Sequence, residues 1–215
     1  MKPFLFSLAC LSFSVMPALC ATSLNIINPS FEIDILGNGG NGYTVNGWTP
    51  NVGCCGVGIQ DPTTGMYTSG LSFDGNNFAY GNGGGYGYYQ VLTAVFQPNT
   101  TYLFSMMVGH RNDLSFGGYK LELRAGSTFS FLPVLATASS ASGPGPDQWA
   151  LQSVVYTTGA SGTEIGQNIL ISFGSLGIQT NFDLASATAS PVPEPGTLGL
   201  IGASLIGIGM RRLRR

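Results

Sequence analysis

Between residues 22 and 190 apolar and polar positions mostly take turns along the chain, and no stretch carries an apolar stripe at helical spacing over several turns. The segment YKLELRA, residues 119–125, is the clearest case. Leu121, Leu123 and Ala125 fall on one side of an extended chain, and Lys120, Glu122 and Arg124 on the other. YYQVLTAVF, TYLFSMMV, WALQSVVYTT and NILISF are rich in aromatic and β-branched residues and predict further strands. The intervening QPNT, ASGPGPDQ and GASGTEIG hold the Gly, Pro and Asn that turns require. Short strands at this spacing, with no internal repeat, predict an all-β body over residues 22–190: a single β-sandwich or jelly roll.

The two ends break the alternation. Residues 1–21 hold one Lys, an apolar stretch from Phe4 to Val15, a proline and then small residues, the order of a secretory signal peptide cut after Cys20 or Ala21. At the other end Thr197–Met210 is an apolar run of 14 residues, followed by Arg211, Arg212, Arg214 and Arg215. Such a run is short for a bilayer, which takes about 20 residues. Its small residues nevertheless suit packing between membrane helices, and terminal arginines hold the cytoplasmic side under the positive-inside rule. The reading is a short transmembrane helix, with the body outside the cytoplasm.

Composition narrows the partners. Charged residues make up 8% of the chain, about a third of the usual share. The body between residues 22 and 190 holds three basic and nine acidic residues, a net charge of −6, which excludes nucleic acid as a partner because phosphate binding needs basic patches.

Val192, Pro193, Glu194 and Pro195, then the Gly-rich apolar run, then the arginine cluster, together resemble the PEP-CTERM sorting signal over residues 191–215. The resemblance implies export in a Gram-negative, biofilm-forming bacterium, transient anchoring in the inner membrane, and handling by the membrane transpeptidase exosortase at or near the Pro-Glu-Pro motif. Three phrases in the body, NIINPSFEID with the following NGWT, QVLTAVFQPNTTYLFSMMVGHRND, and NFDLASATA, resemble the galactose-binding-like jelly roll of many carbohydrate-binding modules. That group often holds a structural calcium where its first and last strands meet, and the resemblance places the matching carboxylates at Glu32 and Asp183. Carboxylates and backbone carbonyls are the hard oxygen ligands calcium takes.

The remaining constellations are weak in chemistry. Trp48, Tyr86 and Tyr88, with Tyr89, offer an aromatic platform on which sugar rings would stack; the competing reading turns alternate tyrosines into the core. The glycines of DGNNFAYGNGGGYGYYQ form no phosphate loop, since no Lys-Ser/Thr follows. Cys54 and Cys55, the only cysteines of the mature body, leave a vicinal disulfide, an intermolecular link and a reduced pair all open. The sole histidine, His110, stands in GHRND with no nucleophile elbow elsewhere and reads as a loop residue. The acids Glu32, Asp34, Asp74, Glu122, Glu164 and Asp183 do not declare a cross-cleft pair. The expectation is therefore an exported, non-enzymatic surface or matrix protein, structural or adhesive in extracellular polysaccharide or biofilm. The alternatives are a carbohydrate-binding module and a weak hydrolase.

Overall fold

The computed structural model describes residues 20–52, 56–129 and 133–192. Within them lie twelve strands: β1 (Thr22–Ser23), β2 (Asn41–Gly42), β3 (Thr49–Pro50), β4 (Val57–Gln60), β5 (Phe78–Gly81), β6 (Gly87–Val95), β7 (Thr100–His110), β8 (Tyr119–Ala125), β9 (Val134–Ser140), β10 (Gln148–Thr157), β11 (Asn168–Ser175) and β12 (Thr180–Pro191). They form two antiparallel sheets. The larger runs β10-β7-β12-β5-β4-β2, with β1 also on β12; the smaller runs β3-β6-β11-β8-β9. This is the expected sandwich, and among the described residues no helix is long and apolar enough to cross a membrane.

β8 coincides with the predicted 119–125, and β6, β7, β10 and β11 lie within one or two residues of their predictions. Leu121, Leu123 and Ala125 enter the core as the alternation requires. Their outward neighbour Glu122 is buried as well. Lys120 Nζ at 3.1 Å and Arg124 at 2.9 Å pair with its carboxylate, and Ser172 Oγ on β11 donates to it at 3.1 Å. Burial pushes this carboxyl up, but the Arg124 hydrogen bond and the two positive charges outweigh it and hold it below the ordinary carboxylate range.

Aromatic rings fill the space between the layers. Phe31, Trp48 and Phe173 meet pairwise at 5.2–6.0 Å between centroids, and Phe173 also meets Phe182 at 4.7 Å. Each such pair adds about 0.5–1.5 kcal/mol beyond area burial. Phe182 faces inward on β12, so its neighbours Asn181 and Asp183 face outward, and that alternation positions the site. β12 is central in its sheet. It pairs with β7 along one edge, and with β5 and then β1 along the other. Thr22 lies opposite Ala189, so the first and last strands of the body meet side by side.

Candidate functional site

Register builds a row across four strands on the outer face of the larger sheet. Asn181 on β12 lies opposite Tyr80 on β5 and Gly109 on β7, and Gly109 lies opposite Trp149 on β10. The adjoining row brings together Asp183, Met107 and Leu151. Gly109 is what gives the first row its depth. A Cβ there would stand 2.7 Å from Trp149 and would strike the Tyr67 hydroxyl. Without it, the segment from Asp61 to Asn77 lays Tyr67 flat on the sheet. The Tyr67 ring stacks on Trp149 at 5.1 Å and 18°, and meets Phe78 edge-on at 5.9 Å and 74°. Asn181 Nδ2 donates to the Tyr67 hydroxyl at 2.8 Å, and Phe73 flanks Trp149 at 6.3 Å. The result is an aromatic nest with polar atoms at its floor.

Asp183 lies in the adjoining row, beside the nest, with 0% of its surface exposed. Its Oδ2 accepts the Asp74 backbone N–H at 2.8 Å and its Oδ1 accepts the Leu184 N–H at 2.7 Å. Burial pushes the carboxyl up to about 8; the two N–H bonds pull the other way, and the nearby carboxylates of Asp74 and Glu32 push it further up. At neutral pH this side chain is therefore mostly a neutral carboxylic acid. The pairing of β12 with β7 slips between Asp183 and Ser186, and Leu184 has φ 47°. A bulge at such a place re-aims a side chain. Burial also raises the Tyr67 hydroxyl, keeping it neutral.

Glu32 stands nearby but is occupied differently. Its Oε1 accepts the N–H groups of Asn76 at 3.0 Å and Asn77 at 2.6 Å, across a turn in which Gly75 (φ 83°) leaves no room for a Cβ against the Glu32 carboxyl carbon. The Asn77 amide nitrogen donates to the carbonyls of Phe31 and Asp34, while its Oδ1 is buried with no hydrogen-bond partner. Of the calcium set implied by resemblance, Asp183 accepts one backbone N–H at each carboxyl oxygen and Glu32 accepts two at Oε1, and the orphaned Asn77 oxygen beside them is a further hard donor of the kind calcium takes. Among the described residues no three His, Cys, Asp or Glu side chains converge as a metal cluster.

The expected aromatic platform is not assembled. Trp48 and Tyr88 are buried in the core, with the Trp48 indole N–H donating to the Asn28 carbonyl at 3.0 Å and the Tyr88 hydroxyl to that of Tyr43 at 3.3 Å. Tyr86 is exposed to 37% and its ring covers Gly56 and Gly83, which have positive φ. Tyr89 lies on the outer face of the smaller sheet, stacked on Phe129. Burial leaves Trp48 and Tyr88 no free face for a sugar. His110 spans the carbonyls of Pro144 and Leu114 with its two ring nitrogens, and Arg111 pairs with Asp113 at 2.6 Å, so this segment braces two loops. Val192 closes the described chain, 39% exposed. Pro193, Glu194, Pro195, Arg211, Arg212, Arg214 and Arg215 lie outside the described residues, as do Cys54 and Cys55.

Sequence reasoning reached Asp183 only as a calcium ligand, and it missed Tyr67, Phe78, Asn181 and Trp149 as one group. The available signal was the alternation of Asn181, Phe182 and Asp183 about a single core residue. Tyr67, in a stretch without periodicity, gave none.

The family model of the HpiC1 cyclase matches residues 22–186. The PEP-CTERM protein-sorting motif matches residues 191–215, so the chain is an exported, membrane-transiting protein sorted by exosortase. Among solved structures the fold is similar to the apo form of a cyclase from Fischerella sp., at 24% identity over 81% of this chain and 98% of that one, TM-score 0.69. It is also similar to the Stig cyclase Fisc from the same genus in complex with (3Z)-3-(1-methyl-2-pyrrolidinylidene)-3H-indole, at 23% identity over 81% and 100%, TM-score 0.69. Carbohydrate-binding jelly rolls are present too, such as a xylan-binding domain from Paenibacillus barcinonensis at 16% identity over 81% and 96%, TM-score 0.48. No curated protein matches the chain. The cyclase family match overturns the expectation of a non-enzymatic protein, which rested on the lack of familiar hydrolytic constellations in the sequence.

Proposed function

Because the chain belongs to the HpiC1 cyclase family, we propose that its body is an exported cyclase in which Asp183 is the proton donor. The observation that carries the reading is a fully buried carboxyl one row from an aromatic nest, its pKa pushed up to about 8 by burial. General acids work best with a pKa near the operating pH, and burial brings Asp183 there. The step balances without an added reagent. The Asp183 O–H gives its proton to one carbon of a substrate double bond, and the neighbouring carbon becomes cationic. The substrate's own π electrons close the new carbon–carbon bond. The ring then returns a proton to the Asp183 carboxylate, so the product is an isomer of the substrate. The faces of Trp149 and Phe78 stabilise the cation while excluding water that would quench it. A flat aromatic substrate, such as the indole compounds held by the Fischerella cyclases, suits a nest with these walls.

A Ca²⁺ held by Glu32 and the Asn77 side-chain oxygen would supply fixed positive charge that ties the 28–35 loop to the 74–77 turn. In this reading the sorting tail delivers the activity to the surface of a Gram-negative cell, and the sorting motif over residues 191–215 supports it.

The test is turnover of indoles bearing an unsaturated side chain by the purified mature protein, followed by chromatography and mass spectrometry for products of unchanged mass. Asp183→Asn is expected to lower the rate at least a hundredfold, within the usual contribution of a general acid. Equal rates for the two proteins would remove Asp183 from the mechanism.

A further inference from the structure

Asp183 has no exposed surface, and the segment that caps it through Asp74 also carries Tyr67 over the neighbouring nest. Six bonds fix one side of the covering segment: Asp74 N–H to Asp183, the Asn76 and Asn77 N–H groups to Glu32, the Ser30 hydroxyl to Asp74, and the Asn77 amide to the carbonyls of Phe31 and Asp34. The stretch before them is held otherwise. No strand lies between Gln60 and Phe78. Away from the nest, the segment meets the rest of the body through bonds at its exposed rim. Thr68 donates to Asp147 through its N–H at 2.7 Å and through its hydroxyl. Asn112 donates to the Met66 carbonyl at 2.8 Å and to the Thr68 hydroxyl at 3.3 Å. Asp147 itself adopts φ 65°, a region L side chains rarely occupy. Gly65 and Gly70 (φ 67°) bracket Tyr67, and a Cβ on Gly65 would meet only the Thr63 hydroxyl, at 3.7 Å.

We propose that Tyr67 is the gate of this site: its ring occupies the place a substrate ring takes against Trp149 and Phe78, which themselves meet edge-on at 6.2 Å, and residues 63–71 swing out with it when the Thr68–Asp147 latch releases. The identity of what enters rests on the cyclase reading; the motion does not. That place is complementary to a planar, uncharged ring with a hydrogen-bond acceptor on its far edge, because Asn181 Nδ2 already donates to an oxygen placed there. Tyr67 then determines specificity as well as access, since an incoming ring has to outcompete one that is covalently present.

Hydrogen exchange followed by mass spectrometry on the mature full chain tests this. Amides of 66–70 are expected to exchange through local opening, far faster than those of β7 and β12 beneath them. Asp147→Ala is expected to accelerate 66–70 by about tenfold, the factor that follows from losing roughly one hydrogen bond at the surface. Saturating 4-methylphenol, the tyrosine side chain as a free molecule, is expected to increase exchange of 66–70 in the unmodified protein by displacing Tyr67. Exchange of 66–70 only through global unfolding would overturn the gate, and so would slowed or unchanged exchange with 4-methylphenol. The two readings fail separately. A mobile gate with full turnover by Asp183→Asn sinks the cyclase chemistry alone, whereas Asp183-dependent turnover with a rigid 66–70 sinks the gate alone.

Discussion

Replacing Asp183 with Asn removes the one group whose titration opposes folding over the physiological range, and its size follows from the site. An aspartate of ordinary pKa 3.8 held at about 8 in the fold keeps its proton in the native state while the unfolded chain gives it up. A group raised in this way contributes stability that is complete below pH 4 and lost as pH climbs through 8. At about 1.4 kcal/mol per unit over roughly four units, the loss is on the order of 5 kcal/mol. Asparagine does not titrate, so its stability should stay level across that window. It has its own cost. Two backbone N–H groups, from Asp74 and Leu184, point at the carboxyl oxygens, and an amide offers only one acceptor, leaving about 1–3 kcal/mol of unsatisfied donor. The variant should therefore be less stable than the parent near pH 4.5 and more stable near pH 8.5, with the two curves crossing. Urea unfolding across this range, with chelator present so that bound calcium does not enter, measures both curves. Parallel curves that never cross would show that Asp183 is ionised in the fold, and the proton-donor argument would fail with it.

The lowered carboxyls act in the opposite direction: Asp113, held down chiefly by its Arg111 hydrogen bond, and Glu122 should lose their contribution as pH falls below about 4, visible as a drop in Tm that Arg111→Ala reduces. Gly109→Ala should displace Tyr67 and Trp149, costing about 1–3 kcal/mol by overpacking in urea titrations and hastening exchange at 66–70. Millimolar calcium should raise Tm, and Asn77→Ala should abolish that rise; a rise of equal size in the variant would exclude the Asn77 oxygen. Phe173→Ala, at the centre of the interlayer rings, should cost about 3–5 kcal/mol, read from the urea midpoint.

Much of the architecture was legible because sheet formation here follows local alternation. YKLELRA became β8 residue for residue, and the aromatic runs became β6, β7, β10 and β11. β9 was missed because VLATASS carries small and polar residues on both faces, so pairing with β8 rather than side-chain pattern defines it. The acidic side of β8 hid a second feature: Glu122 is exposed by alternation yet buried by two flanking cations and a neighbouring serine, a tertiary arrangement that no spacing encodes. The nest was illegible for a similar reason. Tyr67, Phe78, Trp149 and Asn181 lie up to 114 positions apart; strand register brings the last three onto one sheet, and the loop between β4 and β5 lays Tyr67 over them. Trp48 and Tyr88, the aromatics that did look like a surface, are the ones the core takes.

The side-by-side pairing of Thr22 with Ala189 has a geometric corollary for an exported chain. Both ends of the body lie at a single corner, and β12 carries the sequence roughly 30 Å from that corner back to Asn181 at the usual rise per residue. A body tethered to the bilayer through either terminus therefore hangs like a pendant from one fixing point, with its nest at the far end, open to whatever diffuses past outside.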